Sequence, residues 1–110
     1  MSKLPFRGNI ERLTVENNQY RKILHTTQTM QLVVMSILPG REIGGEIHPR
    51  TSQFIRVDKG KAAATIGNNK YRLKDGDAVV IPPGFWHNIR NTGTEPLKLY
   101  TIYSPPEHAV

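Results

Sequence analysis

Cysteine is absent from the 110 residues. That absence excludes disulfides, thiolate nucleophiles, thiolate-bound metals and iron–sulfur clusters together. Long apolar runs are missing too. Nothing approaches the ~18 consecutive apolar residues of a membrane helix, and the opening MSKLPFRGNIERL has no apolar stretch of the secretory kind. Aromatic residues number only eight and are widely spread, a poor basis for the stacking platforms that hold single-stranded nucleic acid. No long window carries a sustained helical stripe, so a phosphate loop feeding a helix has nowhere to sit. Serine is scarce, and Ser36, Ser52 and Ser104 lie in no nucleophile motif. The expectation is a cytoplasmic chain that partners neither a membrane nor a nucleic acid.

Charge is not scarce. Fifteen Lys and Arg stand against nine Asp and Glu, a formal net charge of +6, yet the basic residues form no run of any length. This points to a mild preference for small polar or anionic ligands. A chain this short buries roughly 65% of the surface exposed by its unfolded form, enough for a single core.

Short β-rich runs recur along the sequence: Tyr20–Leu24, Met30–Leu38, Glu42–Ile47, Gln53–Val57, Ala62–Ile66, Tyr71–Leu73, Ala78–Ile81, Trp86–Arg90 and Leu97–Tyr103. Turn residues separate them, among them Pro39-Gly40, Gly67-Asn68-Asn69, Asp75-Gly76-Asp77 and Pro82-Pro83-Gly84. Regularly spaced strands with Gly, Asn and Asp turns predict an all-β sandwich or barrel. The predicted organisation is an N-terminal arm with edge strands over 1–29, a barrel over 30–104 and a C-terminal tail over 105–110. The arm either covers a sheet edge or crosses to a second copy, and a homodimer is expected.

Two of the four histidines sit in informative places. In EIGGEIHP, Glu46 and His48 are two apart, which in a strand aims both side chains at one face. After Pro49–Ser52 the next strand opens with Gln53, and PPGFWHN later delivers His87. Two imidazoles, a carboxylate and an amide oxygen are thereby able to converge. Taken alone, His87 reads as a core histidine, His48 as a turn residue, Glu46 as a solvated strand residue and Gln53 as a hydrogen-bonding amide. His25 and His108 have no companions and read as surface or arm residues; Tyr100 reads as a core or partly exposed tyrosine.

These stretches carry a family resemblance. GREIGGEIHPRTSQFIRVDKG, Gly40 to Gly60, resembles the first cupin motif: Gly, five residues, His-x-His, three or four residues, Glu, six residues, Gly. GDAVVIPPGFWHNIRN, Gly76 to Asn91, resembles the second: Gly, five residues, Pro-x-Gly, two residues, His, three residues, Asn. In the second, Gly76, Pro82, Gly84, His87 and Asn91 all fall in register. The first departs at two places: Glu46 stands where the first His belongs, and Gln53 where the Glu belongs.

The resemblance, over roughly 30 to 104, implies a small antiparallel β-barrel of the jelly-roll, double-stranded β-helix type. It also implies a metal site at Glu46, His48, Gln53 and His87. Two imidazoles and one carboxylate suit Fe(II) or Mn(II), with Gln53 as a weaker oxygen ligand or a neighbour bonded to the ligands; Zn(II) and Ni(II) fit the same donors. One divalent metal per chain is expected, of unassigned identity. The implied function is metal-dependent action on a small oxygenated molecule such as a sugar, a diketone or a carboxylic acid. If catalytic, the chain is a metal-dependent dioxygenase or isomerase. The rival expectation is a non-catalytic small-molecule-binding cupin with a structural metal. No general base stands out beyond Glu46, which the metal claims, so catalytic residues are left unassigned.

Overall fold

The computed structural model describes residues 3–108; the first two residues of the expected arm and the last two of the expected tail lie outside them. Eight strands and one short helix follow in the order α1 (Ile10–Glu16), β1 (Lys22–Thr26), β2 (Gln31–Ile37), β3 (Ser52–Lys59), β4 (Lys61–Ile66), β5 (Asn69–Lys74), β6 (Ala78–Ile81), β7 (His87–Asn91) and β8 (Leu97–Ser104). All pairings between these strands are antiparallel. They build a five-stranded sheet, β1-β2-β8-β3-β6, and a three-stranded sheet, β5-β4-β7. The expected all-β barrel architecture is what the chain adopts.

Period-two alternation decides which side chains enter the core. In β3 the buried positions are Gln53, Ile55 and Val57; in β4 they are Ala62, Ala64 and Ile66. Inward residues of both sheets form one cluster that includes Val33, Met35, Ile37, Ile55, Ile89, Leu97 and Leu99. Each such aliphatic side chain contributes about 1.5–3 kcal/mol of burial. Gly60 turns the chain from β3 in one sheet to β4 in the other. It holds φ at +111°, and a Cβ there would stand 3.2 Å from the Leu97 backbone, so no L side chain fits without strain. Gly67, with φ at +59°, opens the two-residue β4–β5 turn, the position that a II′ turn reserves for glycine.

The arm holds a helix of seven residues, too short for the periodicity to register. Asn9 caps it, its side chain accepting from the Arg12 N–H at 3.0 Å, which satisfies one free amide of the first turn. The helix packs against β8, β3 and β2 of its own chain. Behind it, buried Lys98 donates to the Asn17 carbonyl and to Asn18 Oδ1. In the described residues the arm's helix lies on its own sheet. β1 forms the edge of that sheet.

The expected strand Glu42–Ile47 does not form. Only two isolated bridges to β7 occur there, Glu42↔Arg90 and Glu46↔His87. Three residues separate the bridged positions on one side and two on the other, so one residue is extra, as in a bulge. Gly44, at φ +101°, and Gly45 sit in that gap, and the Gly44 N–H donates to Asn88 Oδ1 instead of a strand partner.

Candidate metal centre

The sheet register prepares a polar row at one end of the interior. Gln31, Tyr103, Gln53 and Ile81 lie side by side across β2, β8, β3 and β6. The next row inward is Val33, Thr101, Ile55 and Val79, and below it stand Met35, Leu99 and Val57. The facing strand runs the same way, with His87 at the polar end and Ile89 deeper.

Glu46, His48 and His87 meet at this end. One ligand atom from each lies within 4.8 Å of the others. His48 and His87 are buried, and their rings are 5.1 Å apart. Simple strand parity is not what joins Glu46 to His48, because the segment is interrupted. Glu46 is set by exchanging backbone hydrogen bonds with His87 at 3.0 and 2.9 Å, and His48 by its carbonyl accepting from the Gly84 N–H at 2.9 Å. The second glycine of the gap has its own reason. A Cβ on Gly45 would fall 2.5 Å from the Trp86 indole, which lies over it.

The two imidazoles are oriented by their outer nitrogens. His48 Nδ1 lies 3.0 Å from Glu107 Oε1, and His87 Nδ1 lies 3.0 Å from the Phe85 carbonyl. Both partners are acceptors, so in the neutral imidazole each Nδ1 carries the proton and each Nε2 keeps a lone pair. Those two Nε2 atoms are buried with no hydrogen-bond partner. Burying such a group costs free energy unless something binds it. Gln53 follows the same logic: its Nε2 donates to Thr101 Oγ1 at 3.0 Å, while its buried Oε1 has no partner. Its register neighbour Tyr103 packs edge-on to His48, with ring centroids 5.8 Å apart. Lone pairs and a carboxylate without competing protons make a donor set that fits a divalent cation.

The C-terminal segment corrects one expectation. His108 is half-buried against the interior and not a free surface residue. The chain turns back after β8, and Gln31 captures it: Oε1 accepts from the Glu107 and His108 N–H groups, and Nε2 donates to the His108 carbonyl at 2.8 Å. The His108 ring then stands edge-on to Tyr103 at 4.8 Å, and its Nε2 is buried without a partner. Burial first, then Arg21, pushes His108 below the ordinary imidazole value, against the opposing pull of Glu46 and Glu107. Burial also lifts the Tyr103 hydroxyl to about 12. Gln31, Tyr103, Glu107 and His108 belong to no motif; the only signal was an acid–imidazole pair after two prolines.

A family profile for the Cupin domain matches residues 33–103. The chain belongs to the cupin family. This cupin is 44% identical over 110 residues to the uncharacterized protein YrkC of Bacillus subtilis, covering 94% of this chain and 59% of that protein. Over 104 residues it is 46% identical to the uncharacterized protein L612 of Acanthamoeba polyphaga mimivirus, covering 91% and 65%. The cupin thus spans about three fifths of the length of these curated relatives. The crystal structure of BH2720 from Bacillus halodurans superposes with a TM-score of 0.95 at 43% identity, covering 97% of this chain and 86% of that one. Among the described residues no helix is long and apolar enough to cross a membrane.

Proposed function

We propose that this cupin binds one divalent metal through Glu46, His48 and His87, with Gln53 Oε1 turned to the same ion, and acts on a small oxygenated molecule such as a sugar, diketone or carboxylate. One observation carries the reading: two buried Nε2 lone pairs without hydrogen-bond partners stand beside a carboxylate, with ligand atoms of all three side chains within 4.8 Å. A bound ion supplies Lewis acidity toward a ligand oxygen. The chain's own residues supply the rest. Tyr103 keeps its proton across the physiological range and serves as a donor. His108, its pKa lowered by burial and its ring edge-on to Tyr103 with Nε2 unpartnered, is the chain's candidate proton acceptor. A dioxygenase or an isomerase is the reaction class this donor set suits.

A second reading, a non-catalytic small-molecule-binding cupin with a structural metal, is favoured by the way the C-terminal segment lies against His48. Elemental analysis of untagged protein tests both readings, with about one Mn, Fe, Zn or Ni per chain expected. Oxygen uptake with diketones and phenols, and isomerisation of sugars, then separates turnover from storage. Protein that neither contains nor acquires a divalent metal defeats both readings. A cytoplasmic homodimer belongs to the same proposal; Val80, exposed beside Phe54 on the outer sheet face, offers apolar surface for it. Light scattering tests the assembly.

A further inference from the structure

The two imidazoles of the centre are oriented by devices of different kinds. His87 is held by the Phe85 carbonyl, a backbone group two residues away within the barrel. His48 is held by the carboxylate of Glu107, which reaches it from the far end of the sequence. Gln31 makes that reach possible. Its side chain is fully buried and spends three of its four bonds on the returning segment, accepting from Glu107 N–H at 3.2 Å and His108 N–H at 3.0 Å and donating to the His108 carbonyl at 2.8 Å; the fourth goes to Thr26 Oγ1 of β1 at 3.1 Å. A buried amide so fully engaged fixes the backbone on both sides of the Glu107 side chain.

We propose that Glu107 is a positioning residue for His48: its Oε1, 3.0 Å from Nδ1, selects the Nδ1–H tautomer and turns Nε2 toward Glu46 and His87, with Gln31 as the clamp that delivers it. The metal consequence rests on the functional reading above; the tautomer does not. An imidazole whose Nδ1–H is held by a carboxylate is a more basic and better aimed ligand. His87 draws nothing from this segment and is the internal control.

The experiment is long-range proton–nitrogen correlation on metal-free, ¹⁵N-histidine-labelled full chain, recorded above the imidazole titration range, followed by titration with Zn(II). Wild type is expected to show His48 in the Nδ1–H form. Glu107→Ala is expected to shift His48 toward a mixture of tautomers, leave His87 unchanged and weaken zinc about 10–100-fold, the usual cost of losing such a partner. Glu107→Gln retains an acceptor oxygen, so the tautomer and part of the affinity are expected to return. Gln31→Ala is expected to reproduce the Glu107→Ala spectrum, because it releases the segment. A tautomer that moves in protein taking up no zinc supports the positioning role and defeats the metal reading. Zinc affinity within about twofold of wild type in Glu107→Ala, with an unmoved His48 tautomer, overturns the positioning role and leaves the metal reading standing.

Discussion

The two ends of the barrel interior handle buried polar groups in opposite ways. At the apolar end Asn91, the last residue of the second motif, is fully satisfied: its Nδ2 donates to the Ile37 and Glu95 carbonyls at 2.9 and 2.8 Å, and its Oδ1 accepts from the Gly93 N–H at 2.8 Å. At the other end His48, His87, His108 and Gln53 each bury a side-chain nitrogen or oxygen with no partner. A fold minimising its own free energy builds the first arrangement. The second sacrifices stability and leaves lone pairs for something else. One end satisfies its polar groups internally; the other, under the proposed function, offers its lone pairs to a ligand.

The contrast breaks most sharply on substitution. Leu99 is fully buried in the middle of the apolar rows. Leu99→Ala is expected to cost about 2–5 kcal/mol in urea unfolding, as truncation of a packed aliphatic side chain does. His87→Ala in metal-free protein is expected to cost about 1 kcal/mol, since it removes one hydrogen bond along with an unsatisfied nitrogen. Equal losses at the two positions would erase the distinction between the ends.

Metal is expected to reverse the ranking at the polar end. The donors come from two separate stretches of chain, so an ion binds the folded form in preference and stabilises it, by about 2.7 kcal/mol at a hundredfold excess over Kd. A chelator is therefore expected to lower the Tm of metal-loaded wild type, and His48→Ala or His87→Ala to be insensitive to it. A chelator response that survives in both variants would place the metal elsewhere.

The apolar end was the more legible in sequence. Runs such as Ala62–Ile66 and Leu97–Tyr103 are β-rich stretches bounded by turn residues, and along β4 burial then alternates with period two. The polar end was legible only where side chains lie close along the chain or fall into a motif, as Glu46, His48, Gln53 and His87 do. Helix α1 escaped because seven residues with one buried side chain carry no stripe. The break at Gly44–Gly45 escaped because alternation says nothing about an inserted residue. Glu107 and His108 escaped for a different reason: they arrive 76 and 77 residues after the Gln31 that holds them, and no periodicity spans that separation.

A finer test asks whether Glu46 and Gln53 share one ion. The family resemblance puts His at the first position and Glu at the second, so the carboxylate has crossed the site. Glu46→His leaves a neutral donor set and is expected to weaken Mn(II) relative to Zn(II). Gln53→Glu sets a second carboxylate in a dry site, which is expected to destabilise the metal-free protein and tighten metal binding. The double variant is expected to depart from additivity by about 1 kcal/mol, as neighbouring ligands do. Calorimetric titration of the four proteins closes the cycle. Additivity within about 0.5 kcal/mol would separate the two residues.

The smallest expected effect belongs to the returning segment and shows itself in acid. His108 lies among Arg21, Glu46, Glu107 and His48, and burial dominates in lowering it from its ordinary value of 6.5. The undocked imidazole therefore takes a proton at a higher pH than the docked one. Stability from docking is complete above pH 6.5 and is lost as pH falls from there through the lower, docked value. Hydrogen exchange at the Glu107 and His108 amides, both held by Gln31 Oε1, reads the docking directly in metal-free protein. After correction for the intrinsic pH dependence of exchange, their protection is expected to fall on acidification in wild type and to fall less in His108→Gln, which cannot be protonated. The amides of β8 residues Leu99 and Thr101 are expected to respond alike in both proteins, since they lie in the rows inward of Tyr103. A His108→Gln variant whose tail amides lose protection over the same pH range as wild type would show that another group carries the acid response.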